Sequence, residues 1–270
     1  MKLFLPTVIW HGLGDYGASE GIQSFVSDIS NYTNAFAFAV DMGGRDSSFF
    51  GNVNAQVDKL CAQLPNIPEL KDGFNAIGFS QGGQFLRAYV QRCNDPPVRN
   101  LMTWGSQHSG IQEVPCQEDS AVCKSARALV RSNAFGMFVQ SRIIPAQYYK
   151  GFDQAAYLEG SLFLADINNE KPEKNATYSS NLASLDNFVM LQFEDDETVI
   201  PKASSLFQDV QDGDIVPIER TTYYLDLGLD KLAKKRGLHQ HQVPGKHMQI
   251  RDKDLFKYMD RYFGKRHDLK

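Results

Sequence analysis

The stretch that most constrains this chain is "GFNAIGFSQGGQFLRAYVQRC", residues 73–93. Its first part is a short, mostly apolar run, as expected of a central parallel strand buried on both faces. Its second part sets Phe85, Leu86, Tyr89, Val90 and Cys93 at helical spacing. Between the two lies Gly78-Phe79-Ser80-Gln81-Gly82, a G-x-S-x-G pentapeptide. A strand that turns straight into a helix strains the backbone of its junction residue. Side chains at the two flanking positions would collide with neighbouring strands or helix, so glycine is needed there. The turn lifts the hydroxyl clear of the sheet and sets it at a helix N-terminus, where free N–H groups favour anions. The pentapeptide alone is a weak signal. The strand before it and the helix after it make Ser80 a candidate nucleophile rather than an ordinary turn serine.

The surroundings agree with that reading. "PTVIWHGLGD" (6–15) reads as a buried strand ending in a Gly-rich turn, and "AFAFAVDM" (35–42) as a second strand. Val53, Val57, Leu60, Cys61 and Leu64 recur at helical spacing. "NLMTWGSQ" (100–107) and "DNFVMLQFEDD" (186–196) read as further strands, and Leu255, Tyr258, Met259, Tyr262 and Phe263 line one face of a final helix. Strands alternating with helices predict an α/β protein with a mainly parallel central sheet built from crossover units. Residues 108–183 break the rhythm and are expected to form an inserted helical lid, within a single domain spanning 1–270.

A serine hydroxyl is a poor nucleophile near neutral pH and needs a base. Where a nucleophile sits on such an elbow, chain order is serine, acid, histidine. Of six histidines, His11 and His108 come too early, His239 and His241 stand in "GLHQHQV", and His267 lies in a charged tail. His247, in a late loop after a plausible strand, is the best base. His239, His241 and His247 could together bind zinc, but a lone H-x-H lacks the usual ligand spacing, and no metal is expected. The orienting acid should end the preceding strand, where Glu194, Asp195, Asp196 and Glu197 stand in a row; pattern does not choose among them. Oxyanion donors are expected from the backbone N–H of Gln81 and, in the early "HGLGD" turn, of Leu13.

Composition narrows the function class. The 270 residues are 42% hydrophobic and 22% charged, with a net charge of −4. No basic footprint for nucleic acid is present, and no apolar run approaches the roughly 20 residues that span a bilayer. The start, "MKLFLPTVIW", is shorter than a secretory signal of roughly 15–30 residues, so either the protein is cytosolic or a leader is left out of this sequence. Two sequons, Asn31-Tyr32-Thr33 and Asn175-Ala176-Thr177, point toward the secretory route. The four cysteines form no C-x-x-C pair; Cys116 and Cys123 flank a short acidic loop that a disulfide could close, and buried free thiols are the alternative.

Several blocks together, "VIWHGLGD", "SFFGNVNAQV", "GFSQGGQFLRAYVQRC", "SLFLADIN" and "NFVMLQFEDD", resemble the palmitoyl-protein thioesterases over about residues 6–263. The resemblance implies an α/β-hydrolase fold with an inserted helical region. It implies hydrolysis of long-chain fatty-acyl thioesters on protein cysteines, and of acyl-CoA, through a Ser-His-Asp triad and no cofactor. Matched residue by residue, it places the nucleophile on Ser80, the base on His247, the acid on Asp196, and the oxyanion donors on Leu13, where a family member carries methionine, and Gln81. It implies disulfides Cys61–Cys93 and Cys116–Cys123, glycosylation at Asn175, and a lysosomal or vacuolar lumen, or secretion, as location. Partners would be S-acylated proteins or peptides. The chain departs from the family where a vicinal cysteine pair becomes "YGASE", where "EGDH" becomes "PGKH", and in the more polar "LHQHQV". Lys265-Arg266 could be a dibasic processing site, though a solvated tail is the simpler reading. The rival functions are an oxyester-directed serine esterase or lipase, and a catalytically silent hydrolase fold that binds lipid.

Overall fold

The computed structural model describes residues 4–114, 121–211 and 213–264. Strands β1 (Thr7–Trp10), β2 (Ala37–Ala39), β3 (Phe74–Phe79), β4 (Val98–Trp104), β5 (Asn187–Phe193) and β8 (Leu238–Val243) form one sheet; β6 (Asp209–Gln211) and β7 (Asp214–Val216) form a separate antiparallel hairpin. In the large sheet the order is β2-β1-β3-β4-β5-β8, and every pairing is parallel. The helices are α1 (Glu20–Thr33), α2 (Val53–Gln63), α3 (Gln81–Arg92), α4 (Ala121–Asn133), α5 (Met137–Arg142), α6 (Ile144–Gln147), α7 (Gln154–Gly160), α8 (Leu164–Ile167), α9 (Ala176–Ser184), α10 (Thr222–Asp226), α11 (Leu229–Lys234) and α12 (Asp252–Tyr262). This is the parallel α/β arrangement the alternation predicts, with strands shorter than the apolar runs that announce them.

Strand residues alternate faces, and the core divides accordingly. Val8, Trp10, Phe74, Ala76, Phe188 and Met190 belong to one buried layer, shared with Val53 and Val57 of α2, Phe85 and Leu86 of α3, and Leu182 of α9. Ile9, Ile77, Phe79, Val189 and Leu191 belong to the other, shared with Ile22 and Ile29 of α1 and Leu255 and Met259 of α12. Topology explains the sides. Right-handed crossovers moving one way along a sheet put helices on one face, and those moving the other way put them on the opposite face. The path from β1 to β2 runs outward with α1. The path then returns past β1 to β3, β4 and β5 with α2, α3 and α9. The reversal lies between β1 and β3, and a crevice opens at the carboxyl ends of the strands at such a switch point.

Between β4 and β5 the chain runs through α4–α9. Val114, Ala126, Val130, Val139, Ile143 and Ala146 make a small core of their own there. Phe135, Met137, Phe138, Val139, Ile143 and Ile144 are apolar residues of this stretch with differing settings. Val139 and Ile143 are committed to the small core and Ile144 to the main one. Phe135 packs its ring against Tyr149 and Tyr157, while Met137 and Phe138 are largely exposed, at 71% and 62%. The stretch docks beside the elbow: Ile144 N–H donates to Phe49 O and Gly51 N–H to Arg142 O.

Cys61 and Cys93 are joined in a disulfide that ties α2 to the end of α3. Cys116 lies outside the described residues, as do Lys265, Arg266 and His267. Asn31 is exposed on α1, and Asn175 is exposed as the N-cap of α9, where its side chain accepts from Thr177 N–H. Among the described residues no helix is long and apolar enough to cross a membrane.

Candidate active site

Ser80 sits between β3 and α3 with φ 51° and ψ −123°, a region that bulky L-residues adopt only under constraint. Its N–H donates to Trp104 O at 2.8 Å, which pins the junction to β4. The flanking glycines are sterically required. A Cβ on Gly78 would stand 2.2 Å from Gly83 Cα, and one on Gly82 2.3 Å from Trp10 O. The helix therefore starts in contact with the end of β1, which is why the "HGLGD" turn lies beside the serine. A Cβ on Gly12 would come 3.3 Å from Ser80 Cβ.

His247 Nε2 lies 3.1 Å from Ser80 Oγ, and His247 Nδ1 lies 2.8 Å from Asp196 Oδ2. With the neutral ring protonated on Nδ1, that N–H donates to the carboxylate and Nε2 accepts the serine hydroxyl. The other carboxylate oxygen accepts N–H groups from Thr198 and Val199 at 2.9 and 3.0 Å. Of the four acids in the row, Asp196 is buried and Glu194, Asp195 and Glu197 are exposed. The loops carrying His247 and Asp196 are laced together, since Glu194 N–H donates to Val243 O and Asp195 N–H to Gly245 O. All three residues follow the carboxyl ends of parallel strands, namely β3, β5 and β8.

Gln81 is buried and its side chain is held at both ends: Nε2 donates to Ser48 O at 3.1 Å, and Tyr148 O–H donates to Oε1 at 3.0 Å. Gly14 N–H donates to Ser48 Oγ at 2.8 Å, fixing the turn that contains Leu13. The 45–51 segment thus positions both residues assigned to the oxyanion from sequence.

The other histidines go elsewhere. His11 is buried, its Nδ1 3.0 Å from Gly12 O, and burial holds its pKa below the usual value. His108 is buried against Phe207 and Phe188, with Nε2 3.0 Å from Thr103 Oγ1; burial, then nearby Arg87, holds it well below. His239 and His241 pack their rings, tilted, against Tyr262 and Tyr258 of α12. Burial, then the neighbouring His241, lowers His239 to about 4. Among the described residues no cluster of His, Cys, Asp and Glu could hold a metal ion.

Two features escape the sequence reading. Gly105, at φ +58°, lies where a Cβ would meet His247 Cε1 at 2.9 Å, so the imidazole occupies the space left by a missing side chain. Its signal was the glycine closing the β4 run. Arg87 on α3 is fully buried, bonded to Ile167 O, Asn168 Oδ1 and Gln91 Oε1 and stacked over Phe207. Burial lowers it to about 9, and Glu170 partly offsets that. Its signal was a charge inside the apolar run "FLRAYV". It fastens α8 and the 108–170 stretch to α3.

Residues 6–247 match the family model described as palmitoyl protein thioesterase. Palmitoyl-protein thioesterase 1 of Caenorhabditis elegans is 40% identical over 260 residues, covering 91% of this chain and 87% of that protein. Palmitoyl-protein thioesterase 3 of Dictyostelium discoideum is 32% identical over 266 residues, covering 96% of this chain and 89% of that protein. Among solved structures, the Bacillus licheniformis lipase BlEst2 superposes with a TM-score of 0.53 at 15% identity, covering 97% of this chain and 93% of that one, a likeness of fold alone. With its parallel sheet and serine elbow, the chain belongs to the palmitoyl protein thioesterase family.

Proposed function

We propose that Ser80, His247 and Asp196 form a catalytic triad that hydrolyses long-chain fatty-acyl thioesters on protein cysteines and on coenzyme A. The observation that carries this is the hydrogen-bonded line from Ser80 Oγ through His247 to Asp196 Oδ2. Ser80 Oγ attacks the thioester carbonyl carbon while His247 Nε2 takes the hydroxyl proton. Asp196 holds the ring's tautomer and stabilises its charged form. The backbone N–H groups of Leu13 and Gln81 receive the developing oxyanion, each such donor contributing about 3–4 kcal/mol to the transition state. The C–S bond breaks, the thiolate takes the proton from Nε2, and an acyl-Ser80 ester remains. Water, deprotonated by Nε2, then attacks that ester and releases the fatty acid as the proton returns to Ser80.

The chain acts as one α/β-hydrolase domain whose 108–183 insertion forms a lid and provides the acyl-binding surface. Its docking against the 45–51 segment and Gln81 supports this. Burying a chain of about 16 carbons at ~0.8 kcal/mol per CH₂ contributes on the order of 10 kcal/mol before ordering costs, which favours long acyl groups. Location in a lysosomal or vacuolar lumen, or secretion, is supported by exposed sequons at Asn31 and Asn175 and by the Cys61–Cys93 disulfide. The second expected disulfide, Cys116–Cys123, belongs to the same reading.

Incubation with palmitoyl-CoA followed by mass spectrometry tests the reading. A palmitoyl adduct on Ser80, and labelling of Ser80 by a fluorophosphonate, are expected. An unlabelled Ser80 would leave the silent lipid-binding fold as the better account. Preference for a palmitate oxyester over palmitoyl-CoA in competition would make the protein an esterase or lipase.

A further inference from the structure

A cavity of about 350 Å³ lies between the His247 loop and α1, on the α1/α12 face of the sheet. Its apolar lining is Leu13, Ile22, Phe25, Phe79, Met248 and Ile250. Three of its walls adjoin the reacting groups in sequence. Gly12 and Leu13 carry the proposed oxyanion donor, Phe79 precedes Ser80, and Met248 follows His247. The charged side chains lining it are both acids, Asp15 and Asp252, with Asp252 exposed in the first turn of α12.

This arrangement defines which half of a thioester faces the cavity. The proton taken from Ser80 by Nε2 must be delivered to the departing sulfur, so the leaving group sits on the histidine side of the carbonyl carbon. The cavity is walled on one side by Met248 and Ile250, just after His247, and on another by Gly12 and Leu13 of the early turn. The lid side of Ser80, where Tyr148 meets Gln81, is left for the acyl chain. Resting on the triad reading, we propose that this cavity is the leaving-group subsite. It takes an apolar side chain next to the acylated cysteine of a peptide, while Asp15 and Asp252 attract basic residues flanking it. The same carboxylates repel the phosphates of coenzyme A, so the subsite favours protein cysteines over acyl-CoA.

The test uses four S-palmitoyl peptides, with Leu or Gly on both sides of the acylated cysteine and Lys or Glu beyond, and S-palmitoyl-N-acetylcysteamine as a minimal thioester. The wild-type protein is expected to prefer Leu over Gly in kcat/KM by roughly ten-fold, as filling an apolar pocket typically gives. It should prefer Lys over Glu by roughly three- to five-fold at low salt. Phe25→Ala should shrink the Leu preference, and Asp252→Lys, at an exposed position, should abolish or invert the Lys preference. Equal kcat/KM on all five thioesters overturns the subsite while leaving the triad reading intact. So does a Phe25→Ala protein whose acyl-length preference, octanoyl against palmitoyl, changes in place of its peptide preference, because the cavity would then hold the acyl chain. No turnover of any of the five overturns the triad reading and the subsite together.

Discussion

The two ends of the Ser80–His247–Asp196 line are built in opposite ways. Ser80 rises from the middle of the sheet, where every residue of β3 is buried and the helix after it is buried along almost its whole length. His247 follows β8, the edge strand, whose residues are half-buried except for exposed Gln242 and buried Val243. The serine is held by backbone alone: the close approach of Gly78 to Gly83 and of Gly82 to Trp10 O, and its own N–H bonded to Trp104 O. The histidine is held by its partners, namely Asp196, the space above Gly105 and the ring of Phe193, 6.0 Å away. A rigidly placed serine thus meets a histidine whose position depends on other segments, so the histidine should be the easier end to displace without unfolding the protein.

The comparison breaks most plainly at the serine. Ser80→Ala should keep its thermal midpoint and lose at least ~10³-fold in thioester turnover, read as kcat/KM on palmitoyl-CoA; near-normal turnover would remove the serine from the mechanism. Next in size is Gly105→Ala. It adds a methyl 2.9 Å from His247 Cε1 at a positive φ, so the ring must move. A displacement of about 1 Å costs on the order of 10²-fold in kcat. Fluorophosphonate labelling should slow in step, and wild-type kinetics in this variant would contradict the tight seat assigned to the ring.

The edge strand predicts a pH effect. His239 is held down to about 4 in the folded protein against an ordinary 6.5. Above 6.5 it is neutral in both folded and unfolded chains and has no effect. As pH falls from 6.5 toward about 4, the unfolded chain takes up the proton first and stability is lost. His239→Gln should therefore flatten the fall of the melting temperature across that window; parallel curves for the two proteins would show that the strand is not the acid-sensitive part. The smallest effect belongs to Lys246, exposed and 3.5 Å from exposed Glu197. Lys246→Ala should change stability by no more than about 0.5 kcal/mol in denaturant unfolding.

Much of the central sheet was legible because a strand buried on both faces writes a continuous apolar run, and α2, α3 and α12 write a helical period. The hairpin Asp209–Gln211/Asp214–Val216 left no such trace: it is short and largely exposed, with Ile215 open to solvent. Apolar residues of the 108–183 stretch divide between settings, since apolarity marks Ile144 in a core and Met137 on a surface alike. Arg87 carried a signal that needed the fold for its meaning, because its partners lie about eighty residues away in Ile167 and Asn168.

By itself, the sequence determined the elbow: glycine at 78 and 82, a strand before and a helix after leave one conformation in which the serine projects from the sheet. It also determined the order in which acid and base must follow. Pattern did not choose among the four consecutive acids and the resemblance named Asp196; only the tertiary structure gives the physical reason, the buried carboxylate facing the imidazole, and the place where that imidazole rests. Local sterics act over a few bonds and can be read along the chain. Burial of Asp196 and the space at Gly105 that the imidazole fills arise where β4, β5 and β8 end side by side, and that proximity exists only once the sheet has formed.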